Sequence, residues 1–255
     1  MFFACISKKK LIVFVTAFIL GLSSVVIFST TPFHQVFFGG NLKKLPIYCV
    51  QTEEKKIAIS FDCAWGTDYT DTLLDIMKDE DVRCTFFAVE FWSKKHPDYL
   101  KKIASFGHEI GTHSSTHPYM SKLNKDAIIR ELTTSSQAIE SVTGVKVELF
   151  RAPYGDYNDL VIDTAKEVGL YTIQWDVDSL DWKDLSAKDI ENRVVKKVKN
   201  GSIVLFHNQG LNTAKALPNI IKTLKSKGYT FVPIGELIYR TNYQIGHDGT
   251  QQPYS

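Results

Sequence analysis

Two histidines four residues apart, His113 and His117, stand in the string Gly111-Thr112-His113-Ser114-Ser115-Thr116-His117. If the chain turns helically there, both imidazoles face one side and can share a cation. Such a pair on its own is as readily one satisfied surface histidine with an incidental neighbour. Asp62 ends the apolar run IAISFD. A carboxylate there can act as general base or metal ligand, or can cap a helix. Arg151, in RAPYG, can pair with such a carboxylate and hold it ionised. The turn shaped by Pro153 and Gly155 offers backbone N–H groups to an oxyanion. Asp178 and Asp181 flank Ser179-Leu180, and Trp182 follows. A carboxylate beside His207 would raise that imidazole's pKa and favour a proton-donating imidazolium. Trp182 can pack against a sugar ring, although a lone Trp is more often core. The chemistry these groups share is hydrolysis by a positioned acid and base.

The elements that must position them alternate. β-rich runs at IAISFD (57–62), CTFFAV (84–89), HEIGTH (108–113), VELFR (147–151), LYTIQWD (170–176), IVLFH (203–207) and YTFVPI (229–234) predict seven strands. Amphipathic stretches at 69–81, 97–107, 125–143, 158–168, 187–199 and 213–227 predict helices between them. Repeated strand–helix alternation implies a parallel sheet covered by helices, here an α/β barrel. In such barrels the chemistry sits at the C-terminal ends of the strands. Asp62, His113, Arg151, Asp178 and His207 each fall at or just beyond a predicted strand end.

The chain has 255 residues, 44% apolar and 23% charged, with a net charge of +2. That composition argues against disorder and, lacking a strong positive field, against nucleic acid as a partner. The four cysteines, Cys5, Cys49, Cys63 and Cys84, show no paired spacing and form no disulfide framework. Between Leu11 and Asn41 there is no Asp, Glu, Lys or Arg, and Lys8-Lys9-Lys10 precedes the run. The apolar core from Leu11 to Phe28 spans roughly 27 Å as a helix, close to a hydrocarbon core. The reading is a cytoplasmic stub (1–10) and a single transmembrane anchor (11–31). A linker (32–54), a catalytic domain (55–240) outside the membrane and a tail (241–255) follow. The run is longer than a secretory signal's apolar region and lacks a cleavage-type site, which favours an uncleaved anchor. Oligomeric state is not readable from these features.

FDCAWGTDYTDTLLDIMKDEDVRCTFF, HSSTH, RAPYG, VDSLDW and IVLFH occur in the order found in the NodB-homology polysaccharide deacetylases, carbohydrate esterase family 4. The resemblance covers Lys55 to Tyr239, and the FDxxWG form is most similar to the sporulation-associated PdaB type. It implies a distorted (β/α)7-8 barrel that removes N-acetyl groups from a cell-wall, peptidoglycan-type glycan. By resemblance Asp62 is the general base, oriented by Arg151, and His113 and His117 are ligands of a divalent metal such as zinc. The Tyr154 backbone N–H helps hold the oxyanion, Trp182 and Leu205 line the acetyl pocket, and Asp178 tunes His207, the general acid.

One position departs. The family's first motif carries a second Asp that completes the metal site, and here Cys63 stands in its place. As a thiolate Cys63 could bind zinc, but it is a shorter side chain with longer metal bonds. A buried Cys acting as a small hydrophobe is the favoured reading. The expectation is a weakly occupied or empty metal site, and the alternative function is a catalytically weak or inactive glycan-binding member.

Overall fold

A computed structural model describes residues 43–254. The stub, the anchor and the linker up to residue 42 lie outside the described residues. Among the described residues no helix is long and apolar enough to cross a membrane.

The chain begins with the short strand β1 (Cys49–Val50) and then the long strand β2 (Lys56–Cys63). Next come α1 (Thr70–Asp79), β3 (Thr85–Ala88), α2 (Glu90–Lys95), α3 (Pro97–Ser105) and β4 (Glu109–Thr112). After them run α4 (Lys125–Thr143), β5 (Leu149–Phe150), α5 (Asp159–Glu167), β6 (Tyr171–Thr172) and β7 (Val177–Asp178). The remainder is α6 (Ala187–Lys197), β8 (Ile203–His207), α7 (Thr213–Ser226), β9 (Thr230–Phe231), α8 (Ile234–Leu237), β10 (Tyr243–Ile245) and β11 (Thr250–Pro253). Local chemistry sets the helix ends. Asn124, Asn158 and Ser186 each accept a hydrogen bond from the backbone N–H three residues on, and Gly144 closes α4 in the left-handed conformation.

The main sheet is parallel, in the order β6-β5-β4-β3-β2-β8-β7, with β9 paired to the start of β2. Every one of the seven sequence-predicted strands overlaps an observed one. The closed barrel is corrected to a curled half-barrel, because β6 and β7 form its two edges and are not paired. Only four residues separate them, too few for a crossover helix.

The linker and tail readings also change. Residues 47–50 bridge the open seam: Ile47 meets Ile173 beyond β6, and Cys49 meets Ser202 before β8. β1 pairs with β11, and β10 with β11, so the segment read as a tail is a hairpin that covers β1.

Alternation along each strand divides the core. From β2, Ile57, Ile59, Phe61 and Cys63 join the apolar cluster between sheet and helices. Ala58 joins a second cluster inside the curl with Phe87, Leu149, Ile173 and Ile203. Asp62 shares the parity of Ala58, Arg151 that of Leu149, and His207 that of Ile203. The functional side chains therefore emerge from the inner face of the sheet, above an apolar floor.

Candidate functional site

β2 and β8 lie side by side with Asp62 directly opposite His207. Each is held by a buried partner of opposite charge. Arg151, fully buried, donates from Nη1 to Asp62 Oδ1 at 2.8 Å and from Nη2 to the Gln174 carbonyl at 3.2 Å. Its guanidinium lies 4.1 Å from the centre of the Phe87 ring. Gly111 makes room for that ring, since a Cβ there would sit 2.7 Å from Phe87 and 2.9 Å from the Leu149 carbonyl. Burial alone would raise the Asp62 carboxyl. The charges of Arg151, His113 and His207 outweigh it and hold Asp62 below the usual carboxylate range.

On the other side His207 Nδ1 donates to Asp181 Oδ1 at 2.8 Å. Asp181 also accepts from the His207 backbone N–H at 2.8 Å and from Thr213 Oγ1 at 2.6 Å. Burial works to lower His207, but the hydrogen bond and charge of Asp181, joined by Asp62 and Asp178, leave it above the ordinary histidine value. Asp178, expected to tune His207, is not its hydrogen-bond partner. Asp178 Oδ1 accepts from the Leu180 N–H at 2.8 Å, and Asp178 acts on His207 only by its charge. Asp181, in a 3-10 turn over Asp181–Lys183, is the partner. The turn is reached through Leu180 at φ 57°, a reversal that spacing alone does not reveal.

The HSSTH string is a loop, not a helical turn. Ser114 and His117 have φ of 70° and 59°. The two imidazoles are nonetheless together, ring centroids 5.0 Å apart. His113 Nδ1 donates to the Arg151 carbonyl at 2.8 Å, which leaves Nε2 as a lone pair 3.5 Å from Asp62 Oδ2. His117 is pushed down to about 4, mostly by burial and then by the charge of His113, and its buried Nδ1 has no hydrogen-bond partner.

Cys63 does not join them. It is fully buried in the outer cluster, and burial pushes its thiol well above the ordinary value. Among the described residues no group of three or more His, Cys, Asp or Glu side chains is placed to hold one metal ion. The family's divalent metal needs three protein ligands. The residues present provide two imidazoles and a protonated, outward-facing thiol, so they do not fit it.

The remaining expected residues surround this centre. Leu205, at the His207 parity, is almost fully buried. Tyr154 sits in the 3-10 turn Pro153–Gly155 with φ 59° and is 60% exposed. Trp182 is 55% exposed, with Lys183 Nζ 4.8 Å from its ring centre. Sequence reasoning missed Glu131 of α4, whose carboxylate accepts from the Ser115 and Thr116 N–H groups, each at 2.8 Å, and from Thr116 Oγ1 at 2.7 Å. An acid on a solvated helix carries no signal of that kind.

The family described as polysaccharide deacetylase matches residues 50–173. A peptidoglycan-N-acetylglucosamine deacetylase of Bacillus cereus is 36% identical, covering 74% of this chain and 91% of that protein. The uncharacterised YlxY of Bacillus subtilis is also 36% identical, over 79% of this chain, which spans 63% of that protein's length. A wild-type family 4 pseudoenzyme from Bacillus anthracis superposes with a TM-score of 0.73 at 33% identity, covering 82% of this chain and 73% of that one. A mutant of that pseudoenzyme, described as having restored enzymatic activity, superposes equally well.

Proposed function

Because the chain belongs to the polysaccharide deacetylases, hydrolases acting on the N-acetyl groups of glycans, we propose that it deacetylates a cell-wall glycan of the peptidoglycan type. One observation carries the reading: Asp62 and His207 face each other in register, each locked by its own buried partner. Asp62 is held ionised and His207 is held above the ordinary histidine value, which supports base for Asp62 and acid for His207. Asp62 takes a proton from the attacking water, and His207 gives one to the departing amine. The turn at Tyr154 offers its backbone N–H to the oxyanion. A divalent metal, where His113 and His117 held one, would supply Lewis-acid chemistry at the carbonyl, but Cys63 stands in the place of its third ligand.

That replacement favours a second reading, a weak or inactive member that retains glycan binding. Acetate release from N-acetylated muropeptides separates the two, measured with and without added zinc, in the parent and in Cys63→Asp. Release by the parent supports an active enzyme. Release confined to Cys63→Asp with metal supports the second reading, and release by neither overturns the proposed activity. The apolar run at 11–31 supports a site outside the membrane, with a single-pass anchor and a cytoplasmic N-terminus, and membrane fractionation tests it. A sporulation-associated role rests on the FDxxWG form and predicts expression confined to sporulating cells.

A further inference from the structure

A carboxylate placed by an arginine is held no better than the arginine itself. Among the described residues the Arg151 guanidinium has two hydrogen-bond acceptors. Nη1 donates to Asp62 Oδ1, Nη2 donates to the Gln174 carbonyl, and the buried Nε has no partner. The position of Gln174 therefore helps to set where the guanidinium stands. Gln174 lies just beyond β6, an edge of the main sheet. Its own backbone N–H donates to the Ile47 carbonyl at 2.7 Å. One residue thus links the segment at 44–50, which bridges the seam, to the Arg151–Asp62 pair. The next residue, Trp175, has its ring centre 5.5 Å from the same guanidinium.

The same segment grips the chain that follows the RAPYG turn. Tyr48 Oη and Tyr157 Oη share a hydrogen bond of 3.0 Å. Lys44 donates from its backbone N–H to Asp159 Oδ1 at 2.9 Å and from Nζ to Asp163 Oδ1 at 2.6 Å. Gln174 and Trp175 lie against the turn itself, since a Cβ on Gly155 would be 3.4 Å from Gln174 Oε1 and 3.3 Å from Trp175 Cη2. The segment is in turn clamped by the C-terminal hairpin. The Tyr48 N–H donates to the Gly249 carbonyl at 2.9 Å. A Cβ on Gly249, whose φ is 81°, would lie 2.2 Å from Tyr48 Cδ2, so this close approach needs glycine.

We propose that residues 44–50 are a positioning strap for the reaction centre. Ile47 and Tyr48 are positioning residues that act on Asp62 through Gln174 and Arg151, and the C-terminal hairpin holds them in place. The inference rests on the assignment of Asp62 as base and adds the element that keeps it aligned. A hairpin lifted from Tyr48 frees the strap, the strap releases Gln174, and the guanidinium loses its second acceptor. The pairing of β2 with β3 and β8 stays intact, because an opening of this kind breaks only the few bonds of short edge elements. Alignment is where such an opening acts, since a misplacement of about 1 Å in a positioning group costs on the order of a hundredfold in rate.

The test reads Arg151 without turnover. The full chain carries isotope-labelled arginine, the NMR signal of the Arg151 Nε–H is assigned with Arg151→Lys, and hydrogen exchange is followed at the Gln174 amide. Parent, Gly249→Ala, Tyr48→Ala, Tyr48→Phe and Ile103→Ala are compared. Ile103→Ala truncates a fully buried side chain in α3 and controls for loss of stability alone. Gly249→Ala and Tyr48→Ala should each speed Gln174 exchange about tenfold or more and shift or broaden the Arg151 signal, with β2 amides exchanging as in the parent. Tyr48→Phe keeps the ring against Gly249 and should bring both readouts most of the way back. Ile103→Ala should lower Tm and leave both readouts at the parent's values. Parent-like readouts in the strap variants, or the same changes in Ile103→Ala, would overturn the strap. Tyr48→Ala decides alone if Gly249→Ala does not fold. Neither readout needs acetate release, so a chain that releases none defeats the proposed activity and leaves the strap standing.

Discussion

Asp181 decides whether His207 can give a proton. Its carboxylate takes three hydrogen bonds, two of them from His207 itself. Asp181→Asn keeps the shape but removes the charge and faces a donor with another donor. The His207 pKa should fall, because burial would then prevail over the weakened attraction. The basic limb of the acetate-release profile should move to lower pH, with a several-fold loss of rate near neutrality, and a histidine NMR titration should show the same displacement. Asp178→Asn removes only a distant charge and a turn hydrogen bond, and should move His207 much less. An equal displacement in both would overturn the assignment. Linkage gives the stability side. A histidine raised in the folded state stabilises below the ordinary value of ~6.5, and that contribution is lost as pH rises through the raised value. The residue types of this site were legible in the sequence, as was the neighbourhood of a carboxylate and His207. Which of two carboxylates three residues apart makes the contact was not, because Leu180 reverses the chain between them.

At the scale of elements, strand parity explains Cys63. β2 is buried on both faces, so apolar residues occupy both parities of the strand, five of its eight positions. Apolar residues on both parities show that a strand exists but conceal which side each residue takes. Only the paired geometry reveals that Asp62 faces inward and Cys63 outward. The helices were more legible, since their periodicity and caps are written locally. The short strands β1, β7, β10 and β11 are two to four residues each and are stabilised by distant partners, which leaves no local pattern to read. The parity makes a prediction for Cys63→Asp. Without metal, a carboxylate at this buried position should lower stability by about 1–3 kcal/mol or more. With zinc in excess, the variant should recover part of that loss as the side chain turns toward His113 and His117, and its Tm should become zinc-dependent. The parent's Tm should not respond. A zinc-dependent Tm in the parent would show that the two imidazoles hold metal without a third protein ligand.

For the whole molecule, acid and the open seam set the limits of stability. His108, His113, His117 and His96 are all displaced downward, in each case chiefly by burial. His108 is the simplest of them, pushed to about 4 by burial and then by the Arg83 charge, with Nδ1 accepting from the Cys84 N–H. A histidine kept neutral in the fold stabilises above its ordinary value of ~6.5, and that contribution is lost as pH falls toward 4. Urea midpoints should therefore drop between pH 7 and pH 4.5, and less steeply in His108→Asn, which keeps an acceptor for Cys84 without a proton to take up. Identical slopes would mean that His108 contributes nothing.

The seam is the second limit. A sheet whose edges β6 and β7 do not pair leaves backbone groups to be satisfied elsewhere, and residues 47–50 do this. Ile47 donates to the Thr172 carbonyl at 3.0 Å, Gln174 donates to Ile47 at 2.7 Å, and Val50 donates to Gly201 at 2.9 Å. That segment in turn depends on the C-terminal hairpin. Gln51 donates to the Gln251 carbonyl at 2.8 Å, and the buried Gln251 side chain accepts from Tyr239 N and donates to Tyr239 O, both at 2.8 Å. Ending the chain at Arg240 would remove the partner of β1 and uncover the strap across the seam. At about 2–4 °C per kcal/mol for a domain of this size, loss of several such hydrogen bonds should lower Tm by roughly 5–15 °C. The amides of Ile47 and Val50 should also lose hydrogen-exchange protection before those of β2 and β3, because the strap opens without breaking the main sheet. A truncated chain with the parent's Tm and an equally protected Ile47 would show that β1 holds the seam without the hairpin.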